Sequence, residues 1–481
     1  MVSAVSSASE KTAPPKPNIL LILADDLGWT GLGCYGGDFY ETPNIDRLAR
    51  QGVRFDYAFA NMKNCAPSRA SIMSGQYVGR HPVLYVASYE QRWLKRFGNL
   101  RRFKLREAPG EKSLPKETLT LAETLKKAGY VTAMFGKWHL GRGNQHPSHR
   151  GFDVAIESHG RHFGFQTDPP YKHDPDQYLS DFLADHAVEF MRQAHQSGKP
   201  FFLYFADFLV HKPLQAKKKY LEYFSKKKPG RYHHSVVAAA MIKSLDDTVG
   251  RLLQTVDELG ISNNTLVVFM SDNGGLAYPE DGARPNNTSN YPLRAQKGSE
   301  FDGGLRVPFI CRWTGQIPAD TLCHEVVTGV DLYPTFLKLA GAPKPPQVLD
   351  GVDIMPILKH PSQKLPQRDV YWYMPSYSSF HRPCIVVRRG KWKLIHLFET
   401  GDNELYNTER DIGEQHNVAG QYPELVKELQ ASARQWMDTA NVPRMKPNPE
   451  YDPSWRLSRA KKQKKRANGS ALPLRKKDRS K

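Results

Sequence analysis

The stretch PNILLILADDLGW, residues 17–29, combines a continuous apolar run with two adjacent carboxylates at its end. An uninterrupted apolar run of this length is typical of a strand that is buried on both faces, as in a parallel sheet. Runs of the same form recur as YVTAMFGKWHLG (130–141), PFFLYFADFLVHKP (200–213) and NTLVVFMSDNGG (264–275). The sequence therefore predicts at least four buried parallel strands.

Helical patterns separate these runs. TLTLAETLKKAGY (118–130) has Thr118 or Thr120 as a possible N-cap and Gly129 as its stop, and residues 236–260 form a longer apolar pattern that ends at Gly260. Strands that alternate with helices predict an α/β fold with a doubly wound, mostly parallel sheet and helices on both faces. In such folds ligands bind beyond the carboxyl ends of the strands.

The C-terminal quarter has a different pattern. A Pro-rich stretch (341–366) is followed by the strand-like runs DVYWYM, CIVVRRGKWKLIHLF and NELYNT and then by one amphipathic helix, residues 422–440. This predicts a small α+β subdomain with an antiparallel sheet. The predicted division is a disordered segment at 1–16, a catalytic domain at 17–345, the subdomain at 346–445 and a basic disordered tail at 446–481.

The charge of the chain is uneven. The net charge is +19, but the residues from 456 onward hold twelve Lys/Arg and one Asp. Such a tail is either solvated without a specific partner or in contact with anionic polymers. Two further basic clusters, 91–106 and 211–231, contain interleaved aromatic residues and suit an extended polyanion such as a sulfated polysaccharide, the alternative being solvated basic faces. No nucleic-acid partner is expected.

Other classes are excluded by composition. The five cysteines show neither metal-site spacing nor an even count, so a disulfide scaffold is excluded. No apolar run is long enough to predict a transmembrane segment, and the N-terminus has no apolar core that would mark a signal peptide.

All four strand-like runs end in polar residues that can do chemistry. These are Asp25 and Asp26, Lys137 and His139, His211, and Asp272 and Asn273. Taken singly, each is an ordinary turn or capping sequence. Together, the acidic and amide oxygens predict a site for a hard cation such as Ca²⁺ or Mg²⁺.

The stretch NCAPSRASIMSG (64–75) adds a cysteine to these strand ends. With ADDLGW, FGKWHLG, HKP, SDNGG and QKGSEFDGGLRVP (296–308) in order, the chain resembles the type I sulfatases of the alkaline phosphatase superfamily. The resemblance implies that Cys65 is oxidised to formylglycine, whose hydrate is the nucleophile. Two departures are MSG where Leu-Thr-Gly is usual and Asp302 where Glu is commoner.

The resemblance also implies the roles of the site residues. Asp25, Asp26, Asp272, Asn273 and an oxygen of the modified Cys65 would bind one divalent cation, Ca²⁺. Arg69 would fix the hydrate, and Lys137 and Lys297 would join it in neutralising the sulfate group. His139 would be an acid/base partner of the hydrate, and His211 would protonate the leaving alcohol.

The predicted function is hydrolysis of a sulfuric ester of a sulfated carbohydrate. The implied partners are that substrate and a formylglycine-generating or anaerobic sulfatase-maturating enzyme, and the implied location is the periplasm or the cell exterior. Two alternatives remain at this point: a phosphonate monoester or phosphodiester hydrolase of the same superfamily, and a polysaccharide-binding protein without catalytic activity.

Overall fold

The computed structural model of the protein describes residues 16–277, 288–378 and 381–455. Most of the two segments predicted to be disordered, at either end of the chain, lies outside the described residues. No helix in these ranges is long and apolar enough to cross a membrane.

The described strands number seventeen and are labelled in chain order. They are β1 (Asn18–Ala24), β2 (Val53–Phe55), β3 (Ala58–Phe59), β4 (Leu105–Arg106), β5 (Val131–Gly136), β6 (Val154–His159), β7 (Gln166–Asp168), β8 (Phe201–Ala206), β9 (Thr265–Ser271), β10 (Phe309–Arg312), β11 (Thr321–Cys323), β12 (Val327–Thr328), β13 (Val370–Met374), β14 (Cys384–Arg389), β15 (Trp392–Leu397), β16 (Asn403–Asn407) and β17 (Lys446–Pro447).

The α-helices are labelled in the same way. They are α1 (Pro43–Arg50), α2 (Cys65–Ser74), α3 (Tyr89–Phe97), α4 (Leu121–Lys127), α5 (Leu179–Gln196), α6 (Lys218–Ser225), α7 (Val236–Glu258), α8 (Asp302–Leu305), α9 (Leu332–Ala340), α10 (Met355–Lys359) and α11 (Pro423–Thr439). Short 3₁₀ turns occupy Trp29–Gly31, Gly33–Tyr35, Gly143–Gln145, Pro147–His149, Ser262–Asn264 and Gly329–Asp331.

A nine-stranded sheet forms the centre of the main domain, in the order β11-β2-β10-β9-β1-β8-β5-β6-β7. The four strands predicted from the apolar runs are β1, β5, β8 and β9; they are neighbours and run parallel. The antiparallel members are β10, which pairs with β9 and β2, and β7 at the far edge. The predicted mostly parallel sheet is therefore confirmed.

Helices cover both faces of this sheet. One apolar layer includes Ile45 of α1, Leu183 of α5 and Leu245 of α7. The opposite layer includes Ile72 of α2 and Phe336 of α9. Because buried strands such as β1 expose no side chain to water, each face needs such a cover, and the doubly wound arrangement follows.

The choice of N-cap for α4 is settled by side-chain hydrogen bonds. Thr120 Oγ1 accepts from the Glu123 backbone N–H at 3.1 Å, and a Glu123 carboxylate oxygen accepts from the Thr120 N–H at 2.6 Å. This reciprocal capping box satisfies two backbone donors at the helix start. Thr120, and not Thr118, is thus the cap.

The C-terminal region forms the predicted antiparallel sheet, β13-β14-β15-β16, and α11 packs on it. The Trp372 indole N–H donates to the Ala60 carbonyl at 2.7 Å, which joins this sheet to the main domain. A buried ion network does the same: Lys393 Nζ lies 2.7 Å from both Asp302 Oδ1 and Glu414 Oε1. The shorter Asp302 carboxylate therefore makes a direct contact across the boundary.

The ordered chain extends past the predicted boundary at residue 445. Lys446–Pro447 pairs with Leu105–Arg106, and the Asn448 amide donates to the carbonyls of Leu100 and Phe103 at 2.9 and 2.7 Å. The prediction of disorder from 446 onward is wrong for residues 446–455. Only Lys446, Glu450 and Asp452 of this segment are charged, and its order comes from long-range contacts that supply its backbone with partners.

Candidate active site

The polar residues at the ends of four neighbouring strands meet at one edge of the sheet. Asp25 follows β1, Lys137 follows β5 and Asp272 follows β9, while His211 follows β8 after a short turn. Since these strands are parallel, their carboxyl ends share that edge. The strand pattern of the sequence thus brings the predicted residues together.

Close backbone packing sets the position of Lys137. Gly136 has φ +118°, and a Cβ there would lie 1.9 Å from the Ala206 carbonyl oxygen. Glycine is required at this approach, and it allows the Lys137 N–H to donate to the same oxygen at 2.8 Å. The turn directs the lysine side chain to the Asp25 carboxylate, with which it forms an ion pair.

Cys65 is the first residue of α2 and is 3% exposed. Every residue of this helix is buried, so the helix is enclosed by the protein on all sides. Its N-terminal end carries unpaired N–H groups and a partial positive charge, which favours anions next to Cys65. Arg69 lies one helical turn later on the same side of the helix.

The Arg69 guanidinium contacts the end of β9. Its Nε donates to Asp272 Oδ2 at 2.8 Å, and Nη1 donates to the Lys137 carbonyl at 2.5 Å. Asp25 Oδ2 lies 3.7 Å from Nη2. In the described structure Arg69 therefore connects α2 to two strand ends.

Among the buried oxygens at this edge that have no hydrogen-bond partner in the described residues are Asp25 Oδ1, Asp26 Oδ2 and Asn273 Oδ1. Asp25, Cys65 and Asp272 offer ligand atoms within 4.8 Å of one another, as do Asp25, Asp26 and His211. Leaving buried oxygens without a partner is costly, and a hard cation is the partner that such oxygens bind. The residues present fit a Ca²⁺- or Mg²⁺-type ion.

Positive and negative side chains are balanced in the described pocket. Three carboxylates face three cationic groups: Asp25, Asp26 and Asp272 against Lys137, Lys297 and Arg69. A bound divalent cation would give this set a net positive charge. A pocket of that charge attracts an anionic group such as a sulfate ester.

The pKa values of two carboxyl groups differ sharply. Burial raises the pKa of Asp272 to about 7, with a further contribution from Asp25 that the Arg69 charge only partly offsets. Burial by itself would also raise the pKa of Asp25, but Lys137 and His211 hold the pKa of that carboxyl far below its usual range. A cation between them would favour the ionised form of both.

The two predicted histidines differ in their surroundings. Burial, with help from Lys137 and Arg69, lowers the pKa of His139 to about 3, so its ring is neutral, and its Nδ1 has no partner among the described residues. His211 is more exposed; its Nδ1–H donates to the Lys212 carbonyl at 2.6 Å, and its Nε2 lies 3.8 Å from Asp26 Oδ2. Burial lowers the pKa of His211, and Asp25 and Asp26 oppose that effect.

Lys297 completes the pocket from a distant part of the chain. Its ammonium group and the Asn273 amide both donate to Asp26 Oδ1, the latter at 2.8 Å. Although burial lowers it, the nearby carboxylate of Asp26 holds the pKa of Lys297 above its usual value. The ammonium group is thus charged.

Two pocket residues adopt a backbone conformation that non-glycine residues rarely adopt. Asp26 has φ +63° and His139 has φ +64°. Left-handed conformations cost free energy in residues with a Cβ, and they persist where the surroundings over-determine them. Both residues are among those predicted to act in the site.

Three further residues at this edge were not predicted from the sequence. Glu157, near the end of β6, accepts a hydrogen bond from the His139 backbone N–H and is buried. The β5–β6 register pairs Gly136 with Glu157, so Ser158 lies level with Lys137; its buried Oγ has no described partner. His162 Nε2 lies 2.8 Å from the His211 carbonyl and supports that turn.

Comparison with known proteins agrees with this geometry. The family model described as Sulfatase matches residues 17–342, and a second, described as N-sulphoglucosamine sulphohydrolase, C-terminal, matches residues 296–439. The chain is 35% identical to N-acetylgalactosamine-6-sulfatase of Rattus norvegicus, over 85% of this chain and 76% of the relative. It is 32% identical to arylsulfatase A of Homo sapiens, over 86% of each chain.

A solved structure shares the whole architecture. The crystal structure of Ps i-CgsB in complex with k-i-k-neocarrahexaose superposes with a TM-score of 0.74 at 29% identity, over 94% of this chain and 99% of that one.

The fold and the family match define a type I sulfatase of the alkaline phosphatase superfamily. The chain belongs to the sulfatase family, and it is an enzyme that hydrolyses sulfate esters. The prediction of a sulfuric ester hydrolase is confirmed, and neither a phosphodiester hydrolase nor a protein without activity is favoured.

Proposed function

We propose that this sulfatase removes sulfate from a sulfated carbohydrate, with formylglycine at position 65 as its nucleophile and one bound Ca²⁺. Support for the substrate class comes from similar proteins, which include N-acetylgalactosamine-6-sulfatases and Ps i-CgsB, crystallised in complex with k-i-k-neocarrahexaose. The observation that carries the proposal is that Cys65 begins a buried helix beside the carboxylates of Asp25 and Asp272.

Formylglycine, when present, supplies a hydrated aldehyde whose second hydroxyl allows the sulfate to be expelled. An unmodified thiol lacks that second oxygen. The proposal therefore requires a formylglycine-generating or anaerobic sulfatase-maturating enzyme as a partner of Cys65. Export to the periplasm or the cell exterior belongs to the same proposal.

The cation would be held by Asp25, Asp26, Asp272 and Asn273, with an oxygen at position 65. Three of these residues have a buried oxygen without a described donor, which is the support for this ligand set. A hard cation there supplies electrostatic stabilisation and lowers the pKa of a bound hydroxyl. Oxygen-only ligands and flexible geometry favour Ca²⁺ over Zn²⁺.

The cationic side chains would bind the sulfate group. Lys137 and Lys297 contact the carboxylates from opposite parts of the chain, and their ammonium groups are placed to neutralise the equatorial oxygens of the ester. Arg69, held between Asp25 and Asp272, would orient the hydroxyls at position 65.

The histidines would move the protons. A carbonyl can only accept, so His211 Nδ1 carries a proton and Nε2 is the atom free to face the ester. In the protonated ring, Nε2–H would donate to the leaving alcohol oxygen, and an anionic substrate favours that charged form. The neutral ring of His139 would accept a proton from the second hydroxyl at position 65.

For the domains, we infer a catalytic part at 17–345 and a smaller part at 346–445 that packs on it. The buried hydrogen bond from Trp372 to Ala60 supports a smaller part that packs against the catalytic part and is not separate from it.

The proposal is tested by comparing hydrolysis of an aryl sulfate with that of an aryl phosphodiester. The protein should be co-produced with a formylglycine-generating enzyme, and the variant Cys65→Ala serves beside the matched control Cys34→Ala. We expect sulfate release to be lost in Cys65→Ala only. Preferred hydrolysis of the phosphodiester, or sulfate release by Cys65→Ala, would contradict the proposal.

A further inference from the structure

The two basic clusters of the sequence have different fates in the fold. In the cluster at 211–231 several lysines are paired: Lys217 with Asp181 at 2.7 Å, Lys227 with Glu41 at 2.6 Å and Lys218 with Glu222 at 3.7 Å. These pairs neutralise part of its charge. This cluster is therefore the weaker candidate for binding an anionic polymer.

The other cluster lies in a small folded unit, the basic module, which we define as residues 89–106. Its apolar core is formed by Trp93, Leu100 and Phe103. The module contains seven Lys/Arg and the single acid Glu90, which pairs with Arg106 at 2.9 Å. Most of its charge is therefore not compensated within the module.

The exposed side of α3 bears much of this charge. Arg92, Lys95 and Arg96 are exposed and make no ion pair with any described residue. Residues three and four apart are neighbours on a helix surface, so the three charges form one patch. Arg101, which follows the helix, is also exposed, but its charge lies near the Asp452 carboxylate.

The C-terminal segment ends on this same module. Trp455 is the last described residue, and its ring lies 6.0 Å from that of Trp93. The acids of this segment that contact the module are Glu450, which accepts from the Leu100 N–H at 3.3 Å, and Asp452, whose N–H donates to the Arg101 carbonyl at 2.9 Å. Trp455, the residue that precedes the basic stretch 456–481 in the sequence, therefore lies at the basic module.

The module is also connected to the active site through two consecutive residues. The Tyr377 hydroxyl accepts from the Leu105 N–H at 3.0 Å, and the Tyr377 ring lies 4.5 Å from that of Phe103. The Ser378 hydroxyl donates to the carbonyl of Gly298 at 3.3 Å, next to Lys297. Consecutive Cα atoms are only about 3.8 Å apart, so the module borders the loop that supplies Lys297.

We propose that the exposed basic face of α3, with Arg92, Lys95 and Arg96, anchors a sulfated polysaccharide chain outside the catalytic pocket. The inference rests on the proposed carbohydrate substrate. The positive charge of this face favours an anionic ligand. The ligand must be a polymer with repeated anionic groups, because one monosulfated sugar in the pocket cannot also reach an adjacent surface. Anchoring there would raise the local concentration of sulfate esters near Lys297.

The test is a matched pair of full-length variants that each remove three positive charges. The first is Arg92→Gln/Lys95→Gln/Arg96→Gln. The control is Lys199→Gln/Lys344→Gln/Lys359→Gln, at exposed lysines outside the basic module. Binding to heparin is measured over a range of salt concentrations, together with turnover of a small aryl sulfate and the melting temperature.

We expect the α3 variant to bind heparin about tenfold more weakly at low salt. Its affinity should also depend less on salt, because three ionic contacts that salt would screen are missing. The control should bind as the wild type does, and both variants should hydrolyse the aryl sulfate normally. Equal loss in both variants, or no loss in the α3 variant, would overturn the inference. Duplex DNA that binds the wild type as tightly as heparin does would also overturn the assignment to a sulfated polysaccharide.

The experiment distinguishes a failure of this inference from a failure of the proposed function. Loss of aryl sulfate turnover in the wild type would contradict the catalytic proposal while leaving heparin binding interpretable.

Discussion

Arg69 Nε donates to Asp272 Oδ2 at 2.8 Å, and both side chains are fully buried. The contact joins the helix that begins at Cys65 to the strand end that bears two of the proposed cation ligands, across 203 residues of sequence. A buried charge without its partner is costly, so each residue depends on the other for its position. The nucleophile position and the cation site are therefore built as one unit.

Removal of the cation should abolish activity and lower stability. Chelation should inactivate the enzyme, and Ca²⁺ should restore it, because buried carboxylates regain their counter-charge. At 100-fold excess over its dissociation constant, Ca²⁺ should stabilise the fold by about 2.7 kcal/mol. The melting temperature with and without Ca²⁺ measures this effect independently of turnover.

A pair of variants locates that effect. Asp26→Asn should lose the Ca²⁺-dependent rise in melting temperature, whereas the exposed Asp185→Asn should keep it. Restoration by Zn²⁺ alone, or an unchanged response in Asp26→Asn, would argue against the ligand set.

Loss of His211 should matter most for substrates with a poor leaving group. His211→Ala should reduce kcat/KM for a sugar sulfate by about 10²- to 10⁴-fold, the usual contribution of general acid catalysis, and far less for an aryl sulfate with an activated leaving group. Comparing both substrates in the wild type and the variant gives the ratio directly. Equal losses on both would mean that His211 binds the sulfate group instead of donating a proton.

Glu157 should make stability depend on pH. Burial raises its pKa to about 7 from 4.5, so the folded state keeps a proton that the unfolded chain loses between those values. With fewer protons bound in the unfolded state, the free energy of unfolding falls as pH rises from 4.5 to 7, by up to about 3 kcal/mol at 1.36 kcal/mol per pKa unit.

Glu157→Gln removes that titration. The free energy of unfolding of the variant minus that of the wild type should therefore be larger at pH 8 than at pH 5. Urea unfolding of both proteins at both pH values measures this difference. A difference in stability that stays constant with pH would show that Glu157 does not titrate in this range.

The buried ion network between the two parts of the chain should be sensitive to loss of its cation. Lys393→Met leaves Asp302 and Glu414 without their shared partner, and breaking a buried pair costs about 3–5 kcal/mol. Lys427→Met, at an exposed pair with Glu424, should cost no more than about 1 kcal/mol. Similar costs in urea unfolding would exclude the network as a main contact between the sheet and the catalytic part.

The buried strands of the central sheet that consist of continuous apolar runs are the part of the fold that the sequence predicts best. The ends of β1 and β9 could be placed because each run is fully buried and stops at polar residues. The run of β5 is buried apart from Val131 at its start. The run of β8 was expected to end at His211, but the strand already ends at Ala206. The β6 strand VAIESH has no such run, and Val154 at its start is 41% exposed. Glu157 and Ser158 could not be found, because only the pairing of β6 with β5 places them at the site.

The direction of β10 and the docking of the segment after residue 445 could not be predicted from the sequence either. The run FICR of β10 does not indicate whether the strand is parallel, since its direction follows from how the chain returns to the sheet. The pairing of Lys446–Pro447 with β4 depends on contacts of Asn448 with Leu100 and Phe103, more than 340 residues away in sequence.

The central claim is that sulfate release requires formylglycine at position 65. Its most direct test is peptide mass spectrometry of the segment around Cys65 on preparations with different degrees of maturation, combined with aryl sulfate turnover of each. The account predicts that turnover is proportional to the fraction of Cys65 converted to the aldehyde and is absent from the unconverted thiol form. Full turnover by protein whose Cys65 remains a thiol would contradict it.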